Sequence, residues 1–296
     1  MQTTIHRAVL IEEIMLVLDP HPNGRYLDGT LGGATHTEEL LKRSAPDGRV
    51  FSFDVDPLAI ERARQRLAPY GDRWIPIEAN FRDMGTIMRD RAETSFQGIL
   101  LDLGFSSDEL ADPEKGLSFQ QDGPLDMRLG PKANEDGLTA TDILNGWPEP
   151  EIRKMLEVFG EERYARKIAH QLVKTRKTHP LETTSQLVEL ILAVVPKMYE
   201  KGRIHPATRT FQALRIAVND ELEALKGAIQ GAYDLLAPQG RCAIITFHSL
   251  EDRIVKRAFR DNRWKCITKK PIVPSDEECQ ANPRARSAKL RVAEKL

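Results

Sequence analysis

Three aspartates occupy positions from which a side chain could act on a small ligand. Asp28, Asp54 and Asp102 each end a short apolar run that is typical of a buried strand. Asp28 also begins a glycine-rich segment that extends to His36. The carboxyl ends of parallel strands meet at one edge of a sheet, where such folds bind ligands. We therefore expect the three carboxylates to lie near one ligand site.

The glycine-rich segment, residues 28–36, lets a ligand approach the backbone closely where a helix begins. It has neither the GxGxxG pattern of a pyrophosphate-binding turn nor the Lys-Ser/Thr pair of a phosphate loop. Asp54 follows the next strand, where a carboxylate typically accepts both hydroxyls of a ribose, and carboxylates also attract a sulfonium. The pattern predicts a nucleoside cofactor without phosphates, S-adenosylmethionine. The alternative is an ordinary strand–helix loop.

Five apolar runs predict the strands, at 25–28, 48–54, 74–79, 98–102 and 241–248. Because helical stretches alternate with them, we predict an α/β fold with a Rossmann-like, doubly wound parallel sheet. The fourth and fifth strands are about 140 residues apart, far more than one crossover requires, and the interval has helical periodicity. We therefore predict a discontinuous main domain, 1–134 and 205–296, with a small inserted helical subdomain over 135–204.

The composition excludes several classes of protein. Hydrophobic residues make up 41% of the 296 residues, which is enough for a folded core. The 3 cysteines form no CxxC pair and no histidine stands at metal-ligand spacing, so we predict no metal site. The absence of a signal pattern and of an apolar run near ~20 residues predicts a soluble, cytoplasmic protein. The oligomeric state stays open, with a homodimer as one option.

The net charge of −1 hides a gradient along the chain. Residues 1–150 carry 15 basic and 26 acidic side chains, whereas residues 241–296 carry 14 and 7. The gradient predicts an anionic partner for the basic part, although solvated lysines and arginines are the plainer alternative. The tail from Asn282 to Arg291 favours the partner, because four cations in an extended stretch suit phosphate contacts.

Long and unusual strings of residues occur along the chain. In order they include Asp28-Gly-Thr, Leu100-Leu-Asp-Leu-Gly104, Asp122-Gly-Pro-Leu-Asp-Met-Arg128, His205-Pro-Ala-Thr-Arg-Thr-Phe-Gln-Ala213 and Phe247-His-Ser-Leu-Glu-Asp-Arg-Ile-Val-Lys256. On these strings the chain resembles the RsmH (formerly MraW) family of small-subunit ribosomal RNA methyltransferases. The resemblance implies methylation of the exocyclic N4 of one cytosine in the decoding region of 16S ribosomal RNA, with S-adenosylmethionine as cofactor and the small ribosomal subunit as partner. The main domain would then be the methyltransferase domain and the insert a substrate-recognition subdomain.

The resemblance also implies which residues bind the cofactor. A Gly-Gly-His stretch of the family falls on Ala34, Thr35 and His36. The family's ribose-binding acid falls on Asp54, and its aromatic residue beside the adenine falls on Phe81. The acid that ends the fourth strand falls on Asp102, and a glutamine that follows falls on Glu109. Ala34, Thr35 and Glu109 therefore depart from the family's residues. Because a β-branched residue disfavours positive φ, we expect Thr35 to alter the turn geometry or the cofactor affinity.

A cytosine N4 amine is a poor nucleophile because its lone pair is delocalised into the ring. An enzyme must therefore accept hydrogen bonds from the amine N–H groups while it aims the nitrogen at the methyl group. Asp102 is the candidate acceptor, and Phe105 resembles the stacking aromatic of an Asp-Pro-Pro-Tyr loop. Alternatively, Asp102 serves the cofactor and Phe105 fills the core. His248 and Ser249 follow the fifth strand at the same edge and are further candidates for substrate contact, against a structural role.

Sequence-specific RNA recognition uses splayed, single-stranded bases, so we expect an extruded target cytosine. Candidate phosphate-binding residues are Arg209, Arg284 and Arg286. One alternative function is a non-catalytic ribosome-assembly factor that keeps the fold and the RNA binding. A nicotinamide-dependent oxidoreductase is a second alternative, which the missing GxGxxG pattern disfavours.

Overall fold

The computed structural model describes residues 8–131, 133–134, 136–199 and 204–296. The chain divides into two compact units. The sheet unit consists of Met1–Ser106 and Leu222–Leu296, and the helical unit of Ser107–Glu221.

The sheet unit contains one seven-stranded sheet with the order β3-β2-β1-β4-β5-β7-β6. The strands are β1 (Arg25–Asp28), β2 (Arg49–Asp54), β3 (Trp74–Glu78), β4 (Phe96–Asp102), β5 (Leu236–Thr246), β6 (Trp264–Cys266) and β7 (Lys289–Lys295). Strands β1 to β5 are parallel to one another, whereas β7 is antiparallel to both β5 and β6. The order 3-2-1-4-5 is that of a doubly wound sheet, so the predicted fold class is confirmed.

Helices cover both faces of this sheet, as its apolar strands require. They are α1 (Ile11–Leu18), α2 (Thr35–Arg43), α3 (Pro57–Leu67), α4 (Met84–Asp90), α11 (Glu221–Leu235), α12 (Ser249–Ala258) and α13 (Asp276–Ala281). Strand β4 shows the two faces directly. Leu100 joins the hydrophobic cluster of Leu40, whereas Ile99 and Leu101 join that of Leu225. Because both faces are buried, β4 is apolar at every position from Ile99 to Leu101.

The helical unit has its own hydrophobic core. Its helices are α5 (Ser107–Ala111), α6 (Ala140–Gly146), α7 (Glu149–Gly160), α8 (Ala165–Thr175), α9 (Thr184–Val194) and α10 (Thr208–Asn219). The predicted insert, 135–204, lies inside this unit, and both of its boundaries fall short of the unit's ends. The reason is packing: Leu125 and Met127 on one side and Leu214 on the other are buried in the same cluster as the insert's helices.

The basic tail needs a correction. The sequence favoured phosphate contacts for all of its cations, but from Lys289 onward the tail is strand β7. Leu290 and Val292 are fully buried, and the Arg291 guanidinium binds the Asp252 carboxylate, with Nε 2.6 Å from Oδ1. Burial of the alternating apolar positions therefore decides the structure of this segment.

Within the part of the chain that the structure describes, we find no helix with both the length and the apolar character that crossing a bilayer demands.

Candidate active site

The turn after β1 is held by a fully buried aspartate. Asp28 Oδ1 accepts a hydrogen bond from the Thr30 backbone N–H at 3.0 Å, and Oδ2 accepts one from the Thr37 hydroxyl at 2.7 Å. Thr37 Oγ1 also lies 2.8 Å from Ser52 Oγ on β2. Asp28 therefore joins the turn to α2, and Thr37 joins α2 to β2.

Asp54, the predicted ribose-binding acid, fastens the same turn to the end of β2. Its Oδ2 accepts from the Gly32 N–H and its Oδ1 from the Asp56 N–H, both at 2.9 Å. The carboxylate thus orders the turn, and its contact with ribose hydroxyls stays a prediction.

The strained residue of the turn is Ala34, which corrects the expectation for Thr35. Gly32 and Ala34 have positive φ, 46° and 60°, and Ala34 is the N-cap of α2. Thr35 is the first residue of the helix, so its β-branch does not meet the left-handed region. Its hydroxyl accepts a hydrogen bond from Arg66 at 3.1 Å.

We expect Ala34→Gly to stabilise the protein by about 1 kcal/mol, because alanine at positive φ is strained by roughly that amount. Thr35→Gly should instead destabilise it by about 1 kcal/mol, because glycine is a slightly poorer helix former than threonine and the hydrogen bond from Arg66 is lost. Chemical unfolding of both variants measures the difference. Equal effects of the two substitutions would contradict this assignment of strain.

Phe81 follows β3, next to the turn. Asn80 caps the short helical turn that Phe81 begins, accepting from the Arg82 N–H at 3.0 Å. Phe81 is half-buried against the hydrophobic core. A Cβ on Gly29 would lie 2.3 Å from Leu101 Cδ2 and 3.4 Å from Phe81 Cβ. Glycine at position 29 is therefore required by close packing beside the predicted adenine site.

Asp102 ends β4 with an unpaired acceptor. Its backbone N–H donates to Thr30 Oγ1 at 2.7 Å, which joins it to the turn, whereas its buried Oδ1 has no hydrogen-bond partner. Burial raises the pKa of Asp102 to about 6. Nearby His36 opposes this rise, whereas Asp28 and Glu251 add to it. A buried oxygen without a donor is costly, so this position fits a ligand that brings an N–H group or a positive charge.

Gly104 and Phe105 follow β4 directly. Gly104 has φ 103°, a conformation that favours glycine. The Phe105 ring is half-buried, and the Arg284 guanidinium lies over it, 5.5 Å from the ring centroid. This distance is within cation–π range. Arg284, predicted as a phosphate ligand, thus contacts the predicted stacking aromatic, whereas Arg286 is exposed.

His248 and Ser249 lie at the start of α12. The Glu251 N–H donates to His248 Nδ1 at 3.4 Å, and Glu251 Oε2 accepts from the His248 N–H at 3.2 Å, which forms a capping box. His248 Nε2 lies 3.2 Å from Glu251 Oε1 without hydrogen-bond geometry. Ser249 is the exposed first residue of the helix. These contacts give His248 a structural role, and any substrate contact stays a prediction.

Two predicted site residues lie in the helical unit. Glu109 is on α5, with Oε1 3.4 Å from Lys115 Nζ. Arg209 is on α10 and donates to the carbonyls of Gly160 and Glu161, both at 3.3 Å, where α7 ends. A cation at a helix C-terminus is stabilising, so Arg209 has a structural role beside the predicted one.

The sequence did not single out Thr30 or Val9, both of which reach the predicted site. Thr30 accepts the Asp102 N–H, and the Val9 carbonyl lies 3.0 Å from His36 Nε2. A threonine two residues after a strand-end aspartate is a local signal for such a turn. The Val9 contact spans 27 residues and has no local signal.

Comparison with known proteins shows the family to which the chain belongs. A family model described as the MraW methylase family matches residues 3–296. Proteins named "Ribosomal RNA small subunit methyltransferase H" from Heliobacterium modesticaldum and Brevibacillus brevis are 47% and 46% identical, each over 98% of both chains. An rRNA methylase structure from Streptococcus thermophilus covers 98% of both chains at 13% identity with a TM-score of 0.46, too low to support a conclusion. On the family match and the identity to these relatives, the chain belongs to the MraW methylase family.

Proposed function

We propose that this protein transfers a methyl group from S-adenosylmethionine to the exocyclic N4 of one cytidine in the decoding region of 16S ribosomal RNA. The family and the names of the relatives support a methyltransferase of small-subunit ribosomal RNA. The observation that carries the chemistry is the buried, unpartnered Oδ1 of Asp102 beside the glycine-rich turn. An amine that gives up a proton needs such an acceptor.

The residues of the turn divide the work of binding. Asp54 accepts the ribose hydroxyls, and Phe81 lies beside the adenine. S-adenosylmethionine supplies the methyl group when bound. Asp102 accepts an N–H bond of the cytosine amine, which concentrates the amine's lone pair on nitrogen and holds it in line for transfer. Phe105, supported by Arg284, stacks on the extruded base.

The RNA around the target base binds to the helical unit. Helix α8 contains no acidic residue, and its exposed face carries Arg166, Lys167, His170 and Lys174. These positions recur at helical spacing, opposite the buried residues Ile168 and Leu172. His170 Nδ1 lies 3.4 Å from Glu149 Oε2 of α7. The other three residues of this face are cations, and such a face suits a phosphate backbone. This is the substrate-recognition role that we propose for the helical unit.

Replacing Arg166, Lys167 and Lys174 together by alanine should weaken RNA binding. It should also make the negative slope of log affinity against log salt shallower by about 2, because each phosphate contact of single-stranded RNA contributes about 0.7 to the slope. Binding measured over a salt series tests this. Arg153→Ala is the matched control, because Arg153 on α7 is exposed but already paired with Glu157 at 2.7 Å. An unchanged slope in the triple variant would contradict the proposed binding of RNA to the basic face of α8.

Ribosomal RNA as substrate places the protein with the small ribosomal subunit, and hence in the bacterial cytoplasm. No step above needs a second copy of the chain, so a homodimer is a separate prediction.

The decisive experiment is transfer of labelled methyl from S-adenosylmethionine to purified small subunits that lack the modification, followed by nucleoside mass spectrometry. We expect N4-methylcytidine, and no incorporation into subunits that already carry the modification. Binding of cofactor and subunit without transfer would overturn the proposal in favour of the assembly factor. A different methylated nucleoside would overturn the assignment of the acceptor atom.

A further inference from the structure

His36 is held between two acceptors. Its Nε2 lies 3.0 Å from the Val9 carbonyl oxygen, and its Nδ1 lies 3.6 Å from Asp102 Oδ2. The ring is 5% exposed. Because a carbonyl oxygen only accepts, Nε2 must carry a proton and donate it to Val9. Nδ1, which faces the carboxyl of Asp102, is therefore the ring nitrogen that can gain or lose a proton.

This arrangement disfavours one of the protonation states of the pair. If His36 were neutral and Asp102 ionised, the Nδ1 lone pair would face a negatively charged oxygen with no hydrogen between them. One proton on the pair removes the repulsion, either as an imidazolium beside a carboxylate or as a neutral ring beside a carboxylic acid. The separation of 3.6 Å exceeds a hydrogen bond, and such pairs commonly tighten when the ligand binds.

Among the residues that the structure describes, the other charged groups that act on Asp102 are two acids, Asp28 on β1 and Glu251 on α12, which are 0% and 3% exposed. Asp28 is engaged by Thr30 and Thr37, and Glu251 accepts the Phe247 N–H at 2.8 Å. Both acids favour a protonated Asp102, whereas His36 opposes the rise in its pKa. Without a positive His36, Asp102 would hold its own proton to higher pH.

We propose that His36 is a positioning residue for the methyl transfer: its imidazolium form, anchored by the Val9 carbonyl, keeps the carboxyl of Asp102 ionised so that Oδ1 can accept the amine proton. During transfer the amine lone pair forms the new N–C bond and the S–C bonding pair stays on sulfur. The proton released from the amine goes to Asp102 and from there to solvent. The inference rests on the proposed function and assigns to the His36 side chain a role separate from holding the cofactor.

The test is His36→Gln, because the glutamine amide can still donate to Val9 but has no group in place of Nδ1. In cofactor-free protein with ¹³C-labelled aspartate, the carboxyl of Asp102 should titrate about one pH unit or more higher than in the parent. The acid limb of the kcat–pH profile should move upward by a similar amount. With saturating cofactor, the ratio of variant to parent kcat should rise as pH increases through these limbs.

The outcomes separate this proposal from a structural role and from the proposed function. An unshifted Asp102 titration in His36→Gln, with kcat lowered equally at every pH, would overturn the pairing and leave His36 as a structural residue. If His36→Gln folds poorly, His36→Asn, whose side chain also lacks an ionisable nitrogen, takes its place in the same Asp102 titration. Because the carboxyl titration uses neither cofactor nor RNA, its failure differs from failure to form N4-methylcytidine.

Discussion

Replacing Asp102 by asparagine should lower methyl transfer by about 10²–10⁴-fold and, at the same time, make the cofactor-free protein more stable at neutral pH. The loss of activity follows because a neutral amide is a poor acceptor for the amine proton. The gain in stability follows because the parent buries a carboxylate whose Oδ1 has no donor, and asparagine has no charge to desolvate.

The sign of the stability change depends on pH. Burial raises the pKa of Asp102 to about 6, above the ordinary value of 3.8, so the folded protein binds this proton more tightly than the unfolded chain. The stability that the folded protein gains from binding this proton is fully present below about pH 4 and is lost as pH rises through about 6. The free energy of unfolding should therefore be about 3 kcal/mol higher in the asparagine variant at pH 8, and similar to that of the parent at pH 4.

Urea unfolding at the two pH values measures this change. Asp261→Asn is a control of opposite sign. The backbone N–H and guanidinium of Arg263 lower the pKa of the Asp261 carboxyl, so its removal should weaken the fold at pH 8. An Asp102→Asn variant that is less stable than the parent at pH 8, or that turns over normally, would contradict the role given to Asp102.

The strand-end acids could be predicted because their signals are local. Arg25–Asp28, Arg49–Asp54 and Phe96–Asp102 are buried runs that end on a carboxylate, and the structure finds a parallel strand at each. Continuous apolar character predicts burial on both faces. The order of such strands then follows from the doubly wound topology, which places the three acids at one edge.

Other features depend on contacts distant in sequence. Strand β7 alternates charged and apolar residues, so its cations resemble a binding tail until β5 pairs with it. Whether Ala34 or Thr35 takes the positive φ depends on where α2 begins, and helix ends are the least certain part of a sequence-based prediction. The orientation of His36 depends on a carbonyl 27 residues away. The positive φ of Ala34 and the orientation of His36 have no periodic or local signature, whereas the alternation over Lys289–Val292 is the period of a half-buried strand.

Asp54→Ala should raise the Kd for S-adenosylmethionine by about 100-fold or more, equivalent to about 3 kcal/mol. Hydrogen bonds between a carboxylate and ribose hydroxyls contribute about 1.5–3 kcal/mol each. The substitution also releases the Gly32 and Asp56 N–H groups, which Asp54 holds at 2.9 Å. Gly32 has positive φ, so the turn loses a restraint where its backbone is least regular.

Asp56→Ala is the matched control, because Asp56 lies in the same loop and is 5% exposed. Its Oδ1 accepts from the Leu58 N–H at 2.9 Å and caps α3. Loss of this cap should lower stability by about 1 kcal/mol while leaving the cofactor Kd within about threefold of the parent. Calorimetric titration of both variants, with unfolding measured in parallel, separates the two effects. An equal loss of affinity in both would mean that the shape of the loop, rather than the carboxylate of Asp54, holds the cofactor.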